Sequence, residues 1–558
     1  MRHRLLAVML ICAATAVRAA EPVAIYDVIF AGGRVVDGTG APWFRADVGL
    51  KGDRIAAVGD LSAARAHRRI DAQGLVVAPG FIDMLGQSEY HVLVDNRAAS
   101  KITQGITTEI TGEGVSIAPL NARMIAEDEE FYAHYGVVPD WTTLAGYFAA
   151  LERARPALNL GTFVGAGGVR ELVMGREDRP ASAAELAAMQ AAVAQAMEEG
   201  ALGLSTSLLY VPGRFASTEE IIALAKVAAR YGGSYITHQR DEGDGIDPSL
   251  DEVFRIAREA AIPTQIHHLK TSGRKNWGRM PAVLARIEQA RAEGLDVSAN
   301  QYPWSASSNS LHASLPLWVR EGEREAMLAR LSDPTALARA RKDFLEAHPD
   351  WYDGGAERVL VAATLEATLK HYEGRTVGEI AQAEQKDAFD VLVHIVRASR
   401  GHTAKIHFTM SEDDVRAALR HPLVSMCTDS SARAEDGIYA RQRSHPRGWG
   451  SAARILGRYV REEQLLGLEE AVRKMTSLPA SRMGLHDRGI LRPGLAADLV
   501  AFDPGTVQAR STFTDPMHYS AGIPYVVVNG QLVVDDGRIT DARPGRVLRG
   551  AGYRPAAP

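Results

Sequence analysis

The chain has 558 residues, 46% of them hydrophobic and 23% charged, with a formal net charge of −5. That is globular composition, long enough for one large domain and a smaller one, and a mildly acidic chain with no basic block is not built to bind nucleic acid. With only two cysteines, no disulfide framework can hold the fold, so stability has to come from the size of the core.

In chain order, "MRHRLLAVMLICAATAVRAA" comes first. It has Arg2 and Arg4, an apolar run from Leu5, and small residues with Val17 and Ala19 placed for cleavage. The apolar run is well short of the roughly 20 residues that span a bilayer. Residues 1–19 therefore read as a signal peptide cut after Ala19, with a mature chain that is periplasmic or secreted and has no membrane attachment. Cys12 suggests a lipid anchor, but the bulky Ile11 before it is wrong for one. Cleavage leaves Cys427 as the single cysteine.

From Ile25 to about Leu75, short runs such as "DVIFAGGRVVDGTG" alternate apolar with polar or Gly residues, as antiparallel strands with tight turns do. The C-terminal "ADLVAFDP" and "YVVVNGQLVVDDGRI" return to that style, with Asn529-Gly530 as a hairpin signal. Neither end buries a core alone, so residues 23–78 and 479–547 are expected to form one small β-sandwich domain. Residues 79–478 alternate apolar strand-like runs with amphipathic helices. Ser182 to Glu185 is a capping box opening a helix that stops at Gly200, and Ser217 to Glu220 opens the next. The strands "LVVAPGFI", "GITTEIT", "LGTFVG", "ALGLST", "GSYITH", "PTQIHH", "LDVSAN" and "LVSMCTD" number eight, which closes a (β/α)8 TIM barrel in an α/β protein. Extra helical material over about 309–400 reads as an insertion.

Barrel chemistry sits at the C-terminal ends of the strands. There the chain places Asp83, Glu113, Ala166, Ser205, His238, His268, Asn300 and Asp429. His238 and His268 close successive strands and so stand side by side. Two imidazoles with a neighbouring carboxylate make a divalent-metal site of the zinc type. His267 competes with His268, but adjacent strand residues face opposite ways, and His268 also delivers Lys270 to the loop above.

These words resemble a known family. "VVAPGFID", "ITQGITT", "GALGLSTSLLYVPG", "YITHQRDEGD", "IHHLKTSG", "NQYPWSA", "SHPRGWG" and "DRGILRPGLAADLVAFDP" run in order through the mature chain, as in the D-aminoacylase (N-acyl-D-amino-acid deacylase) family of the amidohydrolase superfamily. The resemblance implies a zinc-dependent hydrolase of small N-acyl amino acids. This chain departs from the pattern where the family has a first-strand His-x-His pair, here Leu85 and Gln87, and where a "GNCG" loop carries a bridging cysteine, here "TGEG" with Glu113 or Gly114 in its place. A third departure is Ala166, where a His is common. Leucine cannot ligate a metal and glutamine is a poor substitute for imidazole, so one zinc per chain is expected, held by His238, His268 and Glu113. Glu109 is the other carboxylate candidate. The resemblance makes Asp429 the proton shuttle, puts Tyr210 near the scissile carbonyl, and offers Lys270, Ser307 and Arg447 as partners for a substrate carboxylate. Two rival expectations are hydrolysis of a dipeptide or cyclic amide, and a non-catalytic binding protein on the same barrel.

Overall fold

The computed structural model describes residues 25–555; the segment 1–19, expected to be a signal peptide, lies outside them. Eight parallel strands form the barrel: β1 Phe81–Asp83, β2 Ile106–Thr111, β3 Asn159–Thr162 continued as Val164–Gly165, β4 Gly203–Ser207, β5 Ser234–His238, β6 Thr264–Ile266, β7 Val297–Gln301 and β8 Val424–Met426. All are buried runs, as strands covered on both faces must be. Helices that announce themselves in sequence line the outside. Ala183–Glu199 starts on a reciprocal Ser182/Glu185 capping box and stops at left-handed Gly200. Thr218–Arg230 starts on Ser217, but Glu220 does not complete a box. Its carboxylate accepts from buried Arg170 at 2.6 Å, a tertiary ion pair overriding a local cap.

The expected first strand is in fact two. Val76–Pro79 pairs with Leu499–Phe502 and with Ile25–Val35 in the small domain, and only Phe81–Asp83 belongs to the barrel. The chain ends share one nine-stranded sheet, a single hydrogen-bonded set curled around a core that includes Phe30, Val48, Leu50, Leu499 and Val527. In its hairpin, Asn529 and Gly530 both take positive φ, 45° and 81°, the two-residue turn that matches strand twist. Near the chain's end, Val547–Leu548 pairs with Leu160–Gly161 of β3 at the barrel base.

The insertion is not purely helical. Ser307–Ser310, Val359–Thr364 and Thr403–His407 form a three-stranded antiparallel sheet, and helices between them bury a separate core around Phe344, Trp351, Phe389 and Leu392. This unit leans over the barrel mouth and supplies one of its walls. Barrel closure is completed by backbone contacts beyond the strand ends. Met84 N–H donates to Met426 O at 3.4 Å, Asp429 N–H to Leu85 O at 2.7 Å and Gln87 N–H to Ser430 O at 3.1 Å. The seam between first and last strands therefore runs straight into the site.

Candidate active site

Gln87, Glu113, Tyr210, His238, Glu242, His268, Lys270, Ser307 and Asp429 line one cavity of about 280 Å³ at the barrel mouth. Glu113 hangs from the loop after β2. That loop is shaped by glycine: Gly114 has φ +65°, and a Cβ on it would meet the Ser207 Cβ at 2.1 Å. Ser205 Oγ accepts from Gly114 N–H at 3.1 Å beneath it. His238 ends β5. His268 lies two residues past β6, with φ +31°, its N–H donating to Asn300 Oδ1 at 2.6 Å. The choice of His268 over His267 thus follows from a left-handed turn after the strand, not from strand alternation. His267 is fully buried, with Nδ1 3.2 Å from Asn300 Nδ2.

One carboxylate oxygen collects both imidazoles. Glu113 Oε1 is 2.8 Å from His238 Nδ1 and 3.2 Å from His268 Nε2. Donor atoms of the three residues lie within 4.8 Å of one another. The remaining ring nitrogens face Glu242, at 3.6 Å for His238 Nε2 and 3.0 Å for His268 Nδ1, the latter also 2.7 Å from Lys270 Nζ. A carboxylate behind metal-binding histidines orients the rings and raises their basicity. His238 Nε2 is otherwise buried without a hydrogen-bond partner. Two nitrogens and one oxygen, open to a cavity, are the donor set of a catalytic zinc site, and the residues present fit such an ion.

The electrostatics agree. Burial presses the Glu113 carboxyl up, but its hydrogen bonds with His238 and His268 hold it well below the usual range. Burial and the Lys270 ammonium act against a charge on His268, yet Glu242, Asp429 and Glu113 push its pKa to about 9. The pocket favours positive charge where an ion would sit.

Asp429, φ +48°, stands opposite. Burial raises its pKa against the pull of Arg447 and His268. Gln87 Nε2 donates both to Asp429 Oδ1 at 3.0 Å and to Glu113 Oε2 at 3.1 Å. The residue that replaces a family histidine therefore ties the metal ligand to the acid. Leu85 points into the hydrophobic core.

Other expected site residues fall differently. Arg447, 3% exposed, stands behind the cavity wall with Nη1 2.7 Å from Asp429 Oδ2 and its guanidinium 4.6 Å from the Tyr302 ring centroid. Its charge is already taken. Lys270 lines the cavity, donating to Glu242 at 2.6 Å. Tyr210 accepts from Asn309 Nδ2 at 3.0 Å, which leaves its own hydrogen free. Asp83 is not at the mouth. It lies below, fully buried, accepting from Lys101 Nζ at 2.8 Å, and Glu109 sits 3.4 Å from the same ammonium, away from the imidazoles. Ala166 opens a helix and offers no ligand. Sequence reasoning passed over Glu242, although "HQRDE" places it four residues after His238.

A (β/α)8 barrel that carries a buried His/His/Glu set facing a buried aspartate is a metal-dependent hydrolase scaffold. The chain belongs to the amidohydrolase family, whose model matches residues 68–534. It is 38% identical over 524 residues to an N-acyl-D-glutamate deacylase of Alcaligenes xylosoxydans xylosoxydans, covering 94% of this chain and 96% of the relative. A D-aminoacylase of the same organism is 37% identical over 528 residues, covering 94% and 97%. Among solved structures, a D-aminoacylase superposes with TM-score 0.77 at 38% identity, over 94% of this chain and all of the other. The Bordetella bronchiseptica N-acyl-D-glutamate deacylase, complexed with zinc and a phosphonate mimic of the tetrahedral intermediate, gives 0.78 at 35% over the same shares.

Proposed function

We propose that the protein is an exported, zinc-dependent N-acyl-D-amino-acid deacylase working with one metal per chain. The observation that carries this is the convergence of Glu113, His238 and His268 on one point, tied through Gln87 to a buried Asp429. The names of the full-length relatives supply the substrate class. One metal is supported by Leu85 lying in the core, and by a solved D-aminoacylase, 38% identical to this chain, described by one-metal activation and second-metal attenuation.

Zinc held by these three residues would supply Lewis acidity to the scissile carbonyl and to the attacking water. Asp429 takes the proton from that water and returns it to the leaving amine, a shuttle worth roughly two to four orders of magnitude. Its raised pKa suits the proton-carrying half of that cycle. Arg447 is a positioning residue that holds the carboxylate from behind. Burial keeps the Tyr210 phenol protonated, its pKa far above the ordinary value, so its free O–H can donate to the developing oxyanion. Ser307 is the cavity group offered to the substrate carboxylate; the Lys270 ammonium, like the Arg447 guanidinium, is already held, by Glu242 at 2.6 Å and His268 Nδ1 at 2.7 Å.

Metal analysis of the purified protein, followed by amine release from paired N-acyl-D and N-acyl-L amino acids, tests the reading. About one tight zinc per chain and release from the D series are expected. Two tight equivalents, or no release from any D compound, would overturn it.

A further inference from the structure

The catalytic cavity opens into a second space under the insertion. Tyr210, Ser310 and His312 line both, and the second, of about 310 Å³, is walled by Arg320. Ser310 and His312 continue the stretch that begins at Ser307, so this space adjoins the end of the substrate to which Ser307 is offered.

Arg320 stands at the end of the short turn Leu317–Val319. Its Nε is buried without a hydrogen-bond partner, and its guanidinium enters no ion pair among the described residues. Burial lowers its pKa to about 10, and no carboxylate counters that. The acids on the same walls are taken. Asp128 accepts from Arg324 at 2.8 Å and Glu323 from Arg123 at 2.6 Å.

A second unpaired cation stands on the same side. Lys405 pairs in register with Asn309, and directly opposed residues put their side chains on one face of a sheet. Asn309 uses that face to reach Tyr210 in the catalytic cavity, so Lys405 also looks toward the mouth. It is 5% exposed, and its partner is the neutral Ser314 hydroxyl. Burial, and after it Arg320, brings its pKa down to about 7. Burial, reinforced by Arg320, Arg176 and Arg324 against a bond to the Gly401 carbonyl, lowers His312 to about 4. A desolvated cation is costly unless an anion meets it. A wall that keeps two of them beside a hydrolytic site is built for an anion.

The α-carboxylate of an N-acyl amino acid is one carbon from the scissile nitrogen and stays in the catalytic cavity with Ser307. Arg320 lines the adjoining space and not that cavity, so it meets a group farther along the amino-acid half. We infer that this group is a second carboxylate, carried by the side chain and paired with Arg320, so that the preferred substrate is an N-acyl derivative of an acidic D-amino acid. This rests on the deacylase reading and specifies the side chain of its substrate.

The test compares N-acetyl-D-glutamate with N-acetyl-D-glutamine, which matches it in size and lacks the charge. The kcat/KM ratio should favour glutamate by on the order of 10- to 100-fold, the worth of a charge-assisted contact. Arg320→Met should bring that ratio near one, through a higher KM for the glutamate compound, and Arg320→Lys should keep part of it. The methionine variant removes a charge that no protein group pairs, so the fold does not depend on it. Equal or better turnover of the glutamine compound, or a ratio unmoved in Arg320→Met, overturns the inference while the deacylase reading stands. An equal loss on both compounds also overturns it, since it would put Arg320 at the α-carboxylate they share. If no N-acyl-D-amino acid is hydrolysed, the deacylase reading fails. Calorimetry then decides: tighter binding of N-acetyl-D-glutamate than of N-acetyl-D-glutamine, lost in Arg320→Met, supports the anion site, and equal binding rejects it.

Discussion

Asp429 and His268 are both non-glycine residues held at positive φ, 48° and 31°. Such backbone is strained by roughly 1–3 kcal/mol per residue and persists only where the surroundings impose it. Here Leu85 O and Asn300 Oδ1 impose it by accepting from the two amides. Asparagine tolerates this conformation, so Asp429→Asn should keep the fold and most of the zinc, while turnover drops by roughly two to four orders of magnitude because an amide cannot take the proton. His268→Ala should lose metal and activity together, since it removes a ligand. A hydrolysis rate and a zinc titration on the two variants check both; wild-type turnover in Asp429→Asn would sink the shuttle. Gln87 was legible in sequence only as a missing histidine. The structure shows it bridging Glu113 and Asp429, two residues 316 positions apart that no spacing rule connects. Gln87→Leu should therefore retain zinc and lose roughly tenfold or more in kcat, as Asp429 loses the hydrogen bond that aims it. Metal loss equal to the loss of rate would show a purely structural role.

At the scale of elements, the seam between β1 and β8 decides whether the site exists. Lys101, from the helix Ala99–Ile102, donates to Asp83 Oδ2, Thr428 Oγ1 and the Ser430 carbonyl at 2.8, 2.6 and 2.7 Å. Lys101, Asp83 and Glu109 are all fully buried. Gly86 belongs to the same seam, for a Cβ there would stand 1.6 Å from Glu109 Oε1. Removing one partner of a buried ion group leaves an uncompensated charge, which costs about 3–5 kcal/mol. Lys101→Met should lower unfolding stability by that order in denaturant titration and loosen Asp429, which follows Thr428 directly. A change under about 1 kcal/mol would mean that hydrogen bonds along the seam suffice without the lysine. Sequence could count Asp83 at a strand end but not tell mouth from floor, because β1 is only three residues long and its pointing is set by pairing with β2.

For the whole molecule, the N-terminal pattern and the fold divide the labour. The proposed export rests on Arg2, Arg4 and the apolar run after them, and predicts that the mature protein begins near Ala20 by mass; an intact Met1 in a soluble cytoplasmic pool would refute it. The barrel was legible in the chain, because eight apolar runs separated by capped amphipathic helices have few other ways to bury themselves. The sequence also determined that the two ends meet, and that His238, His268 and Asp429 stand at one rim, since strand ends in a barrel share a face. Sequence already offered Glu113 ahead of Glu109 beside the imidazoles; what came from the fold alone is that Glu242 backs them, that Arg447 serves Asp429, and that an insertion with its own core walls the cavity. Those outcomes depend on contacts between residues far apart in the chain and on the directions of side chains in loops, where neither periodicity nor propensity constrains geometry.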